Sequence, residues 1–211
     1  MRQGDANNSP RTARAGDAAY ADINYDGVID EHDIVYLGNC MPVLTAGGSA
    51  AVSWKGFRLR VSLHSRIGQK VLNRARAYSE QMSGADNQSR AVLRRWRFEG
   101  DETDIPRALY GNEAGVNYNT LGSDRFVEDA SFLRLQDIML SYTLPRSLTQ
   151  KWKLSRVNCY VIAYNVKTWS KYTGQDPEVG ISTDRGVYQL AIDDSYTPKP
   201  SKIALGISVD F

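Results

Sequence analysis

The sequence predicts an all-β fold whose antiparallel strands form part of the wall of a transmembrane β-barrel. Apolar and polar residues alternate along several segments of about ten residues, a length that suits a tilted crossing of the hydrocarbon layer. The connections between these segments alternate between short and long, and aromatic residues lie near the segment ends. A soluble β-sandwich is the alternative, but it rarely contains a connection of about sixty residues.

Composition narrows the class of protein without naming it. The chain has 211 residues, with 26 basic against 24 acidic side chains, and this balance gives no electrostatic argument for a nucleic-acid partner. The two cysteines, Cys40 and Cys159, lack metal-binding spacing and are interpreted as free thiols. No apolar run approaches the 18 residues of a spanning helix, although barrel proteins also lack such runs.

The first two predicted strands, 45–54 and 57–67, flank a tight turn at Lys55-Gly56. The second strand alternates with period two. One of its faces carries Phe57, Leu59, Val61 and Leu63, and the other carries Arg58, Arg60, Ser62, His64 and Arg66. The alternation in the first strand is fainter because its residues are small.

Three further strands are predicted at 131–144, 156–168 and 200–211. Leu133 and Leu135 are out of phase with Ile138 and Leu140, which predicts a bulge near Gln136. The second of these strands is apolar in both phases, so its inward side stays open. The last strand has one unbroken apolar face, made of Ile203, Leu205, Ile207, Val209 and Phe211.

The long connections 68–130 and 169–199 carry loop chemistry, with a short helix expected between Asn87 and Asp101. Three aromatic residues in or beside them have two interpretations, stacking on sugars or a partner and simple loop packing: Trp96, Trp169 and Tyr172. Asp176-Pro177-Glu178 is either a substrate contact or a structured turn. Nothing in the chain resembles a catalytic nucleophile motif, so no enzyme activity is expected.

The stretch Asp22 to Asp33 has the spacing of a calcium loop. The candidate ligands at positions 1, 3, 5, 7, 9 and 12 are Asp22, Asn24, Asp26, the Val28 carbonyl, Asp30 and Asp33, and Gly27 permits the sharp turn at position 6. An aspartate at position 12 indicates a weaker, extracellular type of site. The alternative is a turn rich in Asp and Asn that binds no metal.

Several short motifs, in order along the chain, resemble the SusC/RagA-like TonB-dependent outer-membrane transporters. They are DINYDGVIDEHDIVYLGN followed by Pro42, then WKGF, FVEDASFLRLQDIMLSYTLP, RVNCYVIAYNVKTWSKYTGQDPEVG and the final ISVDF. The resemblance implies a barrel of 22 strands, of which this chain supplies the last five. It therefore implies a C-terminal fragment of a longer protein. Residues 1–44, 68–130 and 169–199 are then expected to be extracellular loops.

The resemblance also implies a function for the whole protein. We expect import of oligosaccharides or peptides across the bacterial outer membrane, with a SusD-like lipoprotein on the extracellular face and outer-membrane lipid around the barrel. TonB would act through an N-terminal plug that this chain does not contain. The alternative function is a secreted, calcium-binding β-module that binds carbohydrate. The sequence assigns no substrate-binding residue.

Overall fold

The computed structural model describes residues 14–111, 118–178 and 191–211. The expected loops 1–44, 68–130 and 169–199 therefore lie partly outside the described residues. Within the described ranges the strands are β1 (Leu44–Trp54), β2 (Phe57–Ile67), β3 (Lys70–Asn73), β4 (Val127–Asp129), β5 (Phe132–Thr143), β6 (Arg156–Ser170), β7 (Ile192–Asp193) and β8 (Lys202–Asp210). The helices are α1 (Arg74–Glu80) and α2 (Arg146–Thr149). No described helix is both long and apolar enough to cross a membrane.

The described residues divide into two compact units, which we name by what they contain. The strand unit comprises Asn39–Val71, Asp129–Ala191 and Tyr196–Phe211. The loop unit comprises Met1–Gly38, Leu72–Glu128 and Ile192–Ser195. All five predicted long strands lie in the strand unit, and each begins and ends within two residues of its expected bounds.

The strand unit is built on one antiparallel sheet with the order β1-β2-β5-β6-β8. The turn predicted at Lys55-Gly56 is confirmed, since Trp54 pairs with Phe57 across a two-residue connection. Lys55 and Gly56 have φ values of 47° and 88°, the two positive values of a type I′ turn. A Cβ at Gly56 would also approach the Thr143 carbonyl oxygen closely, so glycine is favoured twice over.

The bulge predicted near Gln136 is also confirmed. On β2, Ser62 pairs with Asp137 and the next residue pairs with Leu135, so the register passes over Gln136. On β6 the register jumps from Tyr164 to Lys167 at the same level. Asn165 lies in this irregularity with φ 50°, a left-handed conformation that asparagine tolerates better than most residues.

The loop unit contains elements that the sequence left as loop. Within this unit Leu72 of β3 pairs with Ile192 of β7 in parallel. Helix α1 has only seven residues and begins where the Asn73 side chain accepts a hydrogen bond from the Arg76 N–H at 2.9 Å. The helix expected between Asn87 and Asp101 is a single 3₁₀ segment, Arg90–Arg94.

Each unit has a small apolar core. In the strand unit Val71, Ala130, Tyr172 and Ala191 pack together, with Cys40 against them. In the loop unit Met82, Val92 and Ile105 form the cluster. Neither cluster involves the long strands of the five-stranded sheet, so that sheet keeps most of its large apolar side chains exposed.

Candidate functional site

One face of the five-stranded sheet is apolar from edge to edge, and we call it the apolar face. Residues directly opposite one another in an antiparallel pair share a face, so the register defines rows across the sheet. Three neighbouring rows, each read from β1 to β8, are Val52-Leu59-Leu140-Val161-Leu205, Ala50-Val61-Ile138-Ala163-Ile203 and Trp54-Phe57-Tyr142-Cys159-Ile207. These rows carry no charged side chain.

The side chains of the apolar face are far more exposed than is usual for a protein surrounded by water. Leu205 is 82% exposed, Ile203 78% and Val52 69%. Soluble monomers rarely expose contiguous apolar patches of this extent, and such patches mark contact with membrane or protein. Because the backbone groups of the central strands are paired in the ladder, these side chains can meet an apolar solvent without exposing peptide groups.

The opposite face, which we call the polar face, carries the charged and hydroxyl side chains. Arg58 pairs with Ser141, and Arg60 with Met139. Ser62 donates a hydrogen bond to Asp137 Oδ2 at 2.9 Å, although both residues lie in the middle of strands. The sequence interpretation that separated Leu59 and Val61 from Arg58 and Arg60 therefore agrees with the register.

The register also resolves β6, whose inward side the sequence left open. Val161 and Ala163 join the apolar face, whereas Tyr160 and Ile162 join the polar face. The Tyr160 ring lies over Gly206 of β8, where a Cβ would overlap it. Both phases of β6 are apolar because its polar face carries tyrosines, whose rings hide the alternation from a hydropathy pattern.

Aromatic side chains collect at the hairpin end of the sheet. The Phe57 and Tyr142 rings pack with centroids 4.5 Å apart. The Lys55 ammonium lies 4.8 Å from the centroid of the Trp54 ring. Aromatic rings beside a lysine at strand ends are typical of the membrane–water interface, where one end of the side chain is apolar and the other wet.

The Asp176-Pro177-Glu178 segment is tied to the sheet by buried groups. Arg134 has a side chain only 4% exposed, and it donates to Asp176 Oδ1 at 2.5 Å and to Glu178 Oε2 at 2.7 Å. Gln69 is fully buried and donates to the Pro177 carbonyl at 2.8 Å. Between the two earlier interpretations, these contacts favour a structured turn over a substrate contact.

The electrostatics of Asp176 reflect this position. Burial raises the pKa of Asp176, but hydrogen bonds from the Glu178 and Lys199 backbone N–H groups and the Arg134 guanidinium outweigh it. The pKa is therefore held below its ordinary value. Asp176 is consequently ionised at neutral pH and fixed to its cationic neighbour.

The candidate calcium loop, Asp22 to Asp33, folds around its own backbone. Side-chain oxygens of the aspartates accept backbone N–H groups within the loop. The Gly27 N–H donates to Asp22 Oδ2 at 3.0 Å, the Val28 N–H to Asp26 Oδ1 at 2.8 Å, the His32 N–H to Asp30 Oδ1 at 2.8 Å and the Ile23 N–H to Asp33 Oδ1 at 2.6 Å. The Asn24 amide oxygen accepts from the Asp26 N–H at 3.1 Å. Gly27 has φ 87°, which is the sharp turn expected of it.

This arrangement does not by itself form an assembled cation site. Among the described residues, no three His, Cys, Asp or Glu side chains come close enough together to hold a metal. The Asp30 carboxylate also accepts from His32 Nδ1 at 3.0 Å, and this hydrogen bond raises the pKa of the exposed His32 ring. The loop's hydrogen bonds are those of a turn rich in Asp and Asn. Calcium binding stays a prediction.

The three aromatic residues singled out in the sequence have different surroundings. Tyr172 is buried in the core of the strand unit, which is loop packing. Trp169 is 49% exposed near the end of β6. Trp96 lies in the loop unit with its ring against Gly16.

Sequence reasoning missed the ion pairs that hold the loop unit. Arg107 donates to both carboxylate oxygens of Asp17, at 2.6 Å and 3.2 Å, and the Ala18 N–H donates to Asn119 Oδ1 at 2.6 Å. Burial raises the pKa of Asp17, but its hydrogen bonds with Arg107 and the Arg14 N–H outweigh this and lower the pKa below the ordinary value. These partners are about a hundred residues apart, and no local motif links them.

Comparisons with known proteins place this geometry in context. No family model matches the chain. It is 28% identical over 199 residues to the TonB-dependent receptor P3 of Formosa agariphila, covering 93% of the chain and 19% of that protein. It is 28% identical over 197 residues to the TonB-dependent receptor SusC of Bacteroides thetaiotaomicron, covering 91% of the chain and 17% of that protein.

Solved structures agree with these relatives. The chain matches the structure of the RagAB peptide transporter with 29% identity and a TM-score of 0.67, covering 82% of the chain and 17% of that chain. The closed-closed state of the RagAB peptide importer gives 27% identity and a TM-score of 0.69, covering 83% of the chain and 18% of that chain.

The resemblance to SusC/RagA-like TonB-dependent receptors is therefore confirmed, and the mostly-β fold matches their barrel fold. The relatives are named as TonB-dependent receptors, and neither they nor the solved structures support the alternative of a secreted calcium-binding module. Relatives named as receptors and transporters fit the expectation of a protein that is not an enzyme. The chain spans about a fifth of the length of the curated relatives it matches.

Proposed function

We propose that this relative of the SusC/RagA-like receptors forms part of the wall of an outer-membrane barrel, with the apolar face toward lipid and the polar face toward the lumen. The observation that carries the proposal is the set of apolar rows running without a charge across five strands. Lipid is the solvent that such a face requires, because burying apolar surface from water is favourable by roughly 25 cal/mol per Å².

Strand lengths support this placement. β1 and β2 have 11 residues each, and β5 has 12. A tilted strand needs about 9–11 residues to cross the hydrocarbon layer. The Lys55-Gly56 turn and the aromatic rings beside it then lie at one interface, and the longer connections lie at the other, which we assign to the extracellular side.

The whole protein is proposed to import oligosaccharides or peptides as a TonB-dependent transporter. In this proposal the five long strands are the last of a 22-stranded barrel, a SusD-like lipoprotein covers the extracellular side, and TonB acts on a plug domain. Support comes from the relatives, among which SusC is a TonB-dependent receptor and RagAB is a peptide transporter.

Cysteine labelling of the full-length protein in intact cells tests the orientation of the wall. Cys40 and Cys159 are first replaced by serine and alanine, and single cysteines are then placed at the neighbouring positions Ala204 and Leu205. A water-soluble maleimide should label position 204 and not 205, because the two lie on opposite faces. Equal labelling of both positions by this reagent contradicts the proposal.

Uptake measurements test the substrate class. A strain lacking the gene is complemented with the full-length protein and given fluorescent oligosaccharides or fluorescent peptides in separate assays. Uptake of one class should depend on the complementing gene and disappear when TonB is deleted. Uptake that persists without TonB contradicts a TonB-dependent mechanism, and gene-dependent uptake of neither class contradicts import of these substrates.

A further inference from the structure

The loop unit contains a groove of about 420 Å³ that none of the relatives' names explains. Its walls come from three separate segments of the loop unit, residues 16–20, 96–106 and 119–126. The side chains relevant to ligand binding are Tyr20, Trp96, Asp101, Asp104 and Asp124, since the ring of Phe126 already has the Arg125 guanidinium 4.9 Å from its centroid. Aromatic faces and carboxylates therefore line the same cavity.

The groove has a fixed frame. The Trp96 ring lies against Gly16, whose φ of 86° and close approach exclude a side chain at that position. The Trp96 N–H donates to the Ile105 carbonyl at 3.0 Å, and the Arg107 N–H donates to the Gly16 carbonyl at 2.7 Å. Asp17, with a side chain only 3% exposed, lies in the groove wall and is neutralised by Arg107. The position of the indole is thus set before any ligand arrives.

Two carboxylates in the groove lining form no ion pair with a described residue. Arg125, the cation in its lining, is engaged with Glu80 at 2.6 Å. Asp101 accepts backbone N–H groups from Arg97 and Phe98. Asp104 and Asp124 are exposed, and no described residue forms an ion pair with either carboxylate.

We infer that this groove binds a guanidinium or ammonium group, such as an arginine or lysine side chain of a peptide or protein. A planar guanidinium can pair with Asp104 or Asp124 while its face lies over an aromatic ring such as Trp96, so that ion pairing and cation–π attraction act on one group. A neutral sugar could also stack on the Trp96 ring and use its hydroxyl groups for hydrogen bonds. Its binding, however, would not depend on the charge of Asp104 and Asp124. The inference goes beyond the proposed transport function, and the two are tested separately. Calorimetry detects binding in the groove whether or not the protein transports the ligand.

Calorimetry on the full-length protein in detergent tests the inference with two probes of nearly the same shape. N-acetyl-arginine amide carries the charge, and N-acetyl-citrulline amide replaces the guanidinium with a neutral urea. The arginine probe should bind with a dissociation constant of about 1 mM or below, and the citrulline probe about tenfold more weakly. Binding of the arginine probe should also weaken with added salt.

Matched variants locate the site. Asp104→Asn and Asp124→Asn should each weaken arginine binding about two- to fivefold, as expected for loss of an exposed ion pair. Asp86→Asn, an exposed aspartate of the same unit outside the groove, should leave binding unchanged. Absence of arginine binding, equal binding of citrulline, or unchanged binding in the double Asp104→Asn/Asp124→Asn variant overturns the inference. Hydrogen exchange at the Trp96 amide shows that each variant keeps the frame intact.

Discussion

The two units of the chain are stabilised by opposite means. The sheet of the strand unit exposes apolar rows and holds its charges on the other face, so its stability depends on an apolar solvent. The loop unit has a core of three buried apolar residues and is braced by ion pairs such as Asp17–Arg107 and Arg125–Glu80. Each unit should therefore lose stability under a different kind of substitution.

Removing one partner of a buried ion pair should give the largest effect, in the loop unit. Arg107→Met leaves the Asp17 carboxylate, 3% exposed, without its cation, and such losses cost about 3–5 kcal/mol. We expect faster hydrogen exchange at the Ala18 amide, whose partner is Asn119. Arg97 is exposed, so Arg97→Met serves as the control and should change hydrogen exchange at the Ala18 amide little. Unchanged exchange in Arg107→Met would show that the pair does not brace this unit.

A charge on the apolar face should give the next largest effect, in the strand unit. Val61→Arg at mid-membrane should cost about 2–4 kcal/mol of barrel stability, because the guanidinium must be desolvated or the bilayer deformed. Urea unfolding of the full-length protein in lipid vesicles measures this. Ser49→Arg, on the polar face of the neighbouring strand, is the matched control and should cost much less. Equal costs for both would contradict the assignment of faces.

These two units also differ in how far the sequence predicts them. Period-two alternation is local, so the strands, the Lys55-Gly56 turn and the bulge at Gln136 follow from neighbouring residues. Neighbouring residues do not predict which side of β6 joins the apolar face, because Tyr160 and Ile162 make both phases apolar. Only the pairing of β6 with β5 and β8 separates the two faces. The Asp17–Arg107 pair joins residues 90 apart, and charge complementarity alone does not select one arginine among many.

Lowering the pH should destabilise the loop unit more than the strand unit, by a smaller amount than these substitutions. The pKa of Asp17 is lowered in the folded protein below the ordinary value of 3.8, despite its burial, by Arg107 and the Arg14 N–H. A lowered pKa means that the stabilisation is fully present above the unfolded value and is lost as pH falls through the folded one, so the loss occurs below about pH 4.

The measurement is hydrogen exchange of the loop-unit amides from pH 6 to pH 3, corrected for intrinsic rates. Protection of the Ala18 amide should fall at the acid end in wild type. The Asp17→Asn variant, which cannot titrate there, should show a flatter profile. The β6–β8 pairs from Cys159–Ile207 to Ala163–Ile203 carry no carboxylate, so amides of β6 opposite β8 should change less. A loss of protection that is equal in both units would contradict a specific role for Asp17.

The smallest expected effect concerns calcium at the Asp22 to Asp33 loop, a feature of the loop unit that local spacing predicts. Its carboxylates accept backbone N–H groups, yet each carboxylate has about four lone-pair sites, so the same side chains can also turn oxygens toward a cation. With an affinity in the extracellular range of about 10⁻⁴–10⁻³ M, 5 mM calcium should stabilise the loop by about 1–2 kcal/mol. Hydrogen exchange of the Gly27 and Val28 amides with calcium, with magnesium and with neither ion measures this.

Variants locate the response. Asp22→Asn and Asp26→Asn should abolish the calcium response. Glu31→Gln should preserve it, because Glu31 is a neighbouring carboxylate outside the ligand spacing. If calcium leaves exchange unchanged in wild type, the hydrogen-bonded turn is complete without a metal, and the loop unit then holds no cation at this position.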